Sequence, residues 1–390
     1  MPSSLRSERA ALSTVFALFG VSIGSWISRI PAVTESLGLS KGQLSAVFIA
    51  GTIGMLGALY PTSKVIARIG SRSVVLPAAS VLLASVALLG VAPSRPWLAA
   101  GMFCVGAAGA TLNVAINAQG VAVEQLCGRP VMPTFHAGYS FGAMGGAAIG
   151  GLAAAAGVGP AAHFPTVAAV LAAVCVVAAR FLLDTPRVQA PPRAVAVWRS
   201  PGLLLVAAIA FLSFLSERAA GDWSALFMRE SIGTSEALAA GAYTAFGLAM
   251  GTGRLLGGRM VALLGRRGVV RWGGMLAAAG LTLPLLAPSP LAGIIGLGVF
   301  GLGLASMVPV AMSAAGNLPD VPAEQGVAGV VVAGWSASLV GPPLLGNLAD
   351  LTSLPAALSL VVIAALCLSL LGGRIPIARK TDAPPPALVG

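Results

Sequence analysis

Charge is the scarcest property of this chain. Only 9% of its 390 residues are Asp, Glu, Lys or Arg, where a soluble domain carries about 25%. The balance is basic, 23 Lys and Arg against 12 Asp and Glu. The basic residues nevertheless sit in the breaks between apolar stretches and form no stripe interleaved with aromatics, which excludes nucleic acid as a partner. Cysteine is equally thin. Cys104, Cys127, Cys175 and Cys367 are scattered, mostly inside apolar stretches, with no CxxC or Cys/His spacing. They read as small buried residues rather than as disulfides or metal ligands. There is no nucleophile–base set, no metal-ligand spacing and no Gly-x4-Gly-Lys-Ser/Thr phosphate loop. These absences exclude an enzyme, a cofactor or metal, and ATP-driven transport by this chain alone.

What is present is apolar length. Hydrophobic residues make up 57% of the chain and the mean hydropathy is +0.93. Roughly a dozen apolar blocks of about 20 residues fill Ala10 to Gly373, the length a bilayer core of about 30 Å demands at about 1.5 Å per residue. The blocks are 10–30, 44–67, 74–92, 97–123, 134–157, 165–183, 202–227, 238–260, 269–287, 291–313, 326–349 and 355–373. The first follows Arg6 and Arg9, runs long and lacks an A-x-A site, so it is expected to be a retained span rather than a signal peptide. Asp184–Ser200 is the longest central break. The expected organisation is an N-terminal half over 1–183, a linker over 184–200, a C-terminal half over 201–376 and a disordered, Pro-rich tail over 377–390. The fold class is an all-α integral membrane protein with twelve transmembrane helices in two six-helix halves.

Orientation follows from the Lys/Arg bias. Of the 23 basic residues, Arg218 and Arg254 lie well within blocks; the others lie in breaks or at block ends, Arg29, Lys41, Arg95 and Arg229 on one side and the remaining seventeen on the other. Both termini are therefore expected in the cytoplasm. The halves also repeat. A shift of 195 aligns Gly70-Ser71-Arg72 with Gly265-Arg266-Arg267. A shift of 196 aligns Tyr139-Ser140-x4-Gly145-x4-Gly150 with Trp335-Ser336-x4-Gly341-x4-Gly346. A shift of 197 pairs Trp26 with Trp223. Even-numbered halves in one orientation make a parallel repeat, related by an axis along the membrane normal.

With six plus six spans, a central linker and a basic loop after the second span of each half, the chain resembles the major facilitator superfamily over nearly its whole length. The loops Ser63–Arg72 and Gly258–Arg267 look like the superfamily's G-x-x-x-D-R-x-G-R-R signature, with Ala67 and Ala262 where the signature has Asp. In the family that Asp helps to latch the cytoplasmic side, so its loss bears on gating through Gly70, Arg72, Gly265 and Arg266. The stretches Asn113–Gly120, with the following Phe135-His136-Ala137, and Glu217-x4-Asp222-Trp223-Ser224-Ala225-Leu226 are similar to a bacterial YbjJ-like subgroup. The resemblance implies a transporter of the plasma (inner) membrane and no particular substrate.

Function is sought in the polar residues that break the apolar pattern. Ionisable groups within a span cost about 2.5–3.5 kcal/mol each and face a cavity or a partner. The seventh block holds Glu217, Arg218 and Asp222 in one sector, with Arg218 and Asp222 four apart and able to pair. Its counterpart in the first half has Gly20, Val21 and Ser25. Glu217 is the proton candidate, and a stapled Arg218–Asp222 pair is the structural alternative. Asn113 and Asn117 share a face of the fourth block, either to bond a polar substrate or to join two helices. Met307, Pro309 and Met312 offer an apolar wall in the tenth. Trp26, Trp223 and Tyr243 are expected in an interfacial belt, with substrate stacking as the alternative. His136 is expected to be a hydrogen-bonded neck residue. Arg254 is expected to snorkel to the cytoplasmic face or cap carbonyls, with gating as the alternative. Gly142-x3-Gly146-Ala147-x2-Gly150-Gly151 resembles the superfamily's antiporter signature with Ala147 in place of Pro, and Gly341-Pro342-Pro343 is the repeat partner. Both imply close helix approach and a hinge, and the former leans towards export.

The expected function is alternating-access transport of a small organic solute, coupled to protons, by a monomer embedded in membrane lipid. An uncoupled facilitator and a non-transporting sensor or scaffold are the alternatives.

Overall fold

The structure, a computed structural model, describes residues 3–127, 131–184, 200–321 and 323–375. Residues 185–199 of the expected linker and the tail 377–390 lie outside them. The described residues are almost wholly helical: α1 (Ser3–Ser28), α2 (Ile30–Leu37), α3 (Lys41–Ile69), α4 (Arg72–Leu89), α5 (Arg95–Cys127), α6 (Met132–Ala155), α7 (Pro160–Ala179), α8 (Pro201–Glu230), α9 (Glu236–Leu286), α10 (Pro290–Leu304), α11 (Met307–Ala315), α12 (Ala323–Leu351) and α13 (Leu354–Gly372). Ten helical segments among the described residues are long and apolar enough to cross a membrane. One of them is α9. Its 51 residues would extend about 75 Å, more than twice the bilayer core. Gly265 breaks it at φ 68°, ψ 169°, so α9 traverses twice. With α6, 24 residues long, the path makes twelve traverses.

Two features depart from the sequence expectation. The stretch after the first block carries the short helix α2, with Pro31 in its first turn, where its missing N–H is harmless. The tenth block is split into α10 and α11 at Ala305–Ser306. Pro309 in the first turn of α11 cannot bond back to the Ala305 carbonyl, and its ring crowds that carbonyl.

The repeat is written in the backbone. Among the described residues five glycines have positive φ, and four of them form two pairs 195 residues apart: Gly38 with Gly233 and Gly70 with Gly265. Ser40 and Ser235, also 195 apart, each cap the following helix by accepting from the backbone N–H three residues on. Arg72 ties its loop to the end of α7 through Asp184 (2.7 Å) and the Arg180 carbonyl (3.1 Å). Arg267, its equivalent, donates from Nε to the Ile375 carbonyl (2.8 Å).

Small residues let the helices touch. The stripe Gly142, Gly146 and Gly150 of α6 lies against α1, where added Cβ atoms would collide with Ala17, Val21 and Ser28. Gly20 and Gly24 of α1 answer it, each set against the α6 backbone at Tyr139 or Ala143. Gly20 is therefore a packing position. Between the first seven helices and the last six, α3 meets α12 and α6 meets α9.

Candidate functional site

Four charged side chains converge where α8 and the first limb of α9 run side by side. Arg218 donates from one nitrogen to both oxygens of Asp222, at 3.0 and 3.2 Å. One turn of helix brings them together, as the spacing of four requires. Glu217, about 100° round the helix, points to α9 instead and accepts from Arg254 at 2.8 Å. Arg254 thus does not snorkel to the cytoplasmic face. Its guanidinium is taken by a carboxylate halfway along α8.

The two pairs differ in exposure. The Asp222 side chain is 6% exposed, while Glu217, Arg254 and Arg218 keep 32%, 34% and 39% of their surface accessible. One carboxylate is a buried anchor, and the other three groups face an open space. Tyr243 of α9 stacks on Phe246, and its hydroxyl lies beside Gly221 of α8, 3.9 Å from where a Cβ would stand. Tyr139 of α6 packs on Phe19 of α1. Tyr139 and Tyr243 lie within electrostatic range of Glu217 and Arg218, and His136 within range of Arg254. His136 is exposed, with its ring edge-on to Phe16 at 5.4 Å. The cluster therefore straddles the seam between α6 and α9. Two small apolar pockets lie one inside each group of helices, around Ser22 and Cys175 in one and Ser224 and Phe300 in the other. Neither is this site.

Asn113 and Asn117 are brought together, but by their own helix: Asn117 Nδ2 donates to the Asn113 carbonyl and to its Oδ1, both at 2.8 Å. They fall on the face of α5 between Gly109, which meets Phe19 of α1, and Gly106, which meets Gly51 of α3. The neighbouring Gln119 is fully buried. It donates to Ser71 Oγ (3.0 Å) and the Leu183 carbonyl (2.8 Å) and accepts from the Leu183 N–H (3.1 Å), so it holds loop and helix end together.

The expected belt does not hold for the tryptophans. Trp26 is 3% exposed and Trp223 fully buried. Trp26 packs on Phe164. Trp223 meets Phe48 of α3 edge-on at 5.9 Å, a contact between the two groups of helices. Met307 is also fully buried, against Gly273, and lines no open wall. Only Pro309 of that trio is exposed.

The groups of helices are fastened at one end, the expected outer one. Asp350, closing α12, accepts from Ser40 Oγ (2.7 Å), Lys41 N (2.8 Å) and Gly42 N (2.7 Å), so a carboxylate caps the α3 N-terminus, where the helix dipole favours it. Arg29 is 2% exposed. It pairs with Glu236 at 2.7 Å and donates to the carbonyls of Gly150 (3.2 Å) and Val158 (2.8 Å). Burial pushes its pKa down and the Glu236 charge opposes that shift; an Arg so paired keeps its proton. Lys41 meets Glu230 at 2.6 Å. Deeper in, Thr52 Oγ1 donates to the Ser338 carbonyl (3.2 Å) and Ser45 Oγ to the Pro342 carbonyl (2.6 Å). Pro342 has no N–H for the Ser338 carbonyl, so Thr52 supplies the missing donor from the other group. The Gly341–Pro342 hinge thus serves as a docking point, and Gly346 leaves room for Ser45. Sequence reasoning missed Arg29, Gln119 and Asp350, because each sits at a span end where a charge or amide reads as solvated.

At the opposite end, Gly70 and Gly265 turn the chain. Arg72 is held as described, and Arg266 donates to Ser313 Oγ at 3.1 Å. These partners belong to each loop's own group of helices.

Comparison with known proteins agrees with this architecture. The family profile described as Major Facilitator Superfamily matches residues 206–388. An uncharacterised MFS-type transporter of Yersinia pestis is 31% identical over 360 residues, 92% of this chain and 93% of that one. The chain belongs to the major facilitator superfamily. It is therefore a multi-pass membrane transporter and not an enzyme. An uncharacterised transporter of Sinorhizobium fredii is 33% identical, over 86% of this chain and 89% of its own length. The membrane protein MosC of Rhizobium meliloti is 27% identical, over 90% and 86%. Among solved superfamily structures, the nucleoside transporter NupG superposes with a TM-score of 0.76 at 12% identity, covering 94% of this chain and 98% of that one. A bacterial homologue of the human lysosomal transporter Spinster, inward-facing and unoccupied, gives 0.75 at 13%, covering 96% and 98%. At such identities these two speak for the fold alone.

Proposed function

We propose that this transporter moves a small organic solute across the bacterial plasma membrane by alternating access, driven by a proton carried on Glu217. The two six-helix halves are the moving units, both termini are cytoplasmic, and the conformation is open to the cytoplasm. The observation that carries the reading is the Glu217–Arg254 pair. It is a mid-helix ion pair, one-third accessible, beside a seam fastened at the opposite, expected outer end. A carboxylate held by one breakable contact is able to exchange a proton, whereas the buried Asp222 is tied by both oxygens. The glycine stripe that leaned towards export joins α6 to α1, a task common to either direction, so direction rests on how Glu217 couples.

Glu217→Gln fixes the neutral state. Exchange of solute needs no change of protonation, whereas net coupled movement does. In proteoliposomes given a bacterial metabolite extract and a pH gradient, mass spectrometry is expected to find an organic solute accumulated by the wild type only while the gradient lasts. The variant should equilibrate that solute without concentrating it. Full accumulation by Glu217→Gln removes Glu217 as the proton site. Absence of any solute moved by the wild type removes the small-solute reading.

A further inference from the structure

The surplus bonding capacity of the cluster belongs to donors. Each guanidinium has five N–H donors in a fixed fork that matches a carboxylate. Arg254 gives one nitrogen to Glu217. Arg218 gives one nitrogen to Asp222, and its Nε has no partner although buried. Asp222 is sealed behind its arginine, and the Glu217 carboxylate is already in contact. The open face therefore shows two incompletely bonded cations and one placeholder anion. The rings of Tyr139 and Tyr243, from opposite sides of the seam, supply an apolar ledge.

We propose that the solute is an organic monocarboxylate with an apolar or aromatic body, and that its carboxylate takes the place on Arg254 that Glu217 occupies in this conformation. This rests on the transport reading above. A proton moves onto Glu217, the Glu217–Arg254 pair opens, and the freed fork accepts the substrate carboxylate. Loss of the proton lets Glu217 reclaim Arg254 and expel the substrate. Proton and anion then bind together, and the coupling is electroneutral symport. Arg254 faces Glu217 directly, Tyr243 on α9 and Tyr139 on α6 lie within its electrostatic range, and the cluster is completed by Asp222 on Arg218 and by His136 of α6 within range of Arg254. Of the other helices packed on α8, α10, α11 and α13 carry no charged residue among the described side chains, and the rest carry theirs towards helix ends: Arg6, Glu8 and Arg9 in α1, Glu35 in α2 and Asp350 in α12.

The test is direct binding of benzoate to the purified full-length protein at about pH 5 and about pH 7.5, one acid and one near-neutral condition in both of which benzoate is largely ionised. Benzamide and benzylamine serve as neutral and cationic isosteres. Wild type is expected to bind benzoate at least about tenfold more tightly at the acid pH and to bind neither isostere. Glu217→Gln should bind it equally at both. The double variant Glu217→Gln/Arg254→Gln, which leaves no unpaired charge, should elute as a folded monodisperse protein and bind none. Binding of benzamide or benzylamine as tight as benzoate overturns the anion assignment, as does no binding of benzoate by wild type. A pH dependence that survives in Glu217→Gln assigns the switch to His136 and overturns the placeholder role. If benzoate fails while metabolite accumulation still needs the gradient and Glu217, the substrate class falls and the transport reading stands.

Discussion

At the residue scale, the informative side chains are those whose partners are distant in sequence. Asp222 has its partner within one turn, so its pairing with Arg218 was legible from spacing alone. Glu217 and Arg254, 37 residues apart, were both marked as ionisable groups inside spans, yet nothing in the sequence joined them. The difference in burial yields a prediction. Asp222→Asn leaves the Arg218 guanidinium without its anchor. Loss of one partner from a buried pair costs about 3–5 kcal/mol, and because Arg218 is partly accessible the expected loss is nearer about 2 kcal/mol. Thermal unfolding in detergent should show a clearly lowered midpoint. Neutralising both residues, Arg218→Gln with Asp222→Asn, should recover part of it. A single variant as stable as wild type but inactive would place Asp222 in the transport pathway instead.

At the element scale, the glycines decide which helices touch. Gly145 and Gly146 are adjacent on α6, yet a Cβ on Gly146 would meet the Val21 carbonyl and the Ser25 amide of α1, while one on Gly145 meets nothing within 4 Å. Gly146→Ala is expected to destabilise the protein by about 1–3 kcal/mol, as overpacking does. Gly145→Ala should be neutral or slightly stabilising through its higher helix propensity. Purified yield and melting temperature, measured side by side, check the pair, and equal behaviour would contradict the α1–α6 contact. The proline in α12 works by the same logic of satisfied groups. The carbonyl that Pro342 orphans is met by Thr52, so Thr52→Val should weaken the α3–α12 seam while leaving each helix intact.

At the scale of the molecule, two balances set the conformation. The expected outer end joins the halves through Asp350 and Arg29. The Glu35–Arg229 pair at 3.7 Å is largely solvated and contributes little. The opposite end carries the basic loops, with Ala67 and Ala262 where the family signature has Asp. Weakening the fastened end should therefore shift the population outward, by about tenfold for each 1.4 kcal/mol removed. A cysteine at the buried Ser338 is expected to be inert to a membrane-impermeant thiol reagent from outside. It should become reactive when Asp350→Asn and Glu236→Gln are added. Unchanged reactivity would mean that these contacts do not hold that end shut. Orientation is checked in the same way: a cysteine at Gly268 should label from the cytoplasm and one at Lys41 from outside, and the reverse would invert the topology.

The sequence by itself determined the membrane, the twelve traverses and the repeat. A bilayer fixes the length of every apolar run, and a duplicated backbone keeps its turn glycines at one offset, as Gly38 with Gly233 and Gly70 with Gly265 attest. It also marked Glu217, Arg218, Asp222 and Arg254 as charges in places that penalise charge. Only the tertiary structure decided what those charges touch, that Trp223 seals a seam rather than sitting in a belt, and that Asp350 caps a helix more than 300 residues away. Burial cost is a property of one residue in its span and can be read locally. Pairing, exposure and closure depend on which faces of distant helices meet, and the stripes of small residues that permit such meetings do not name their partners.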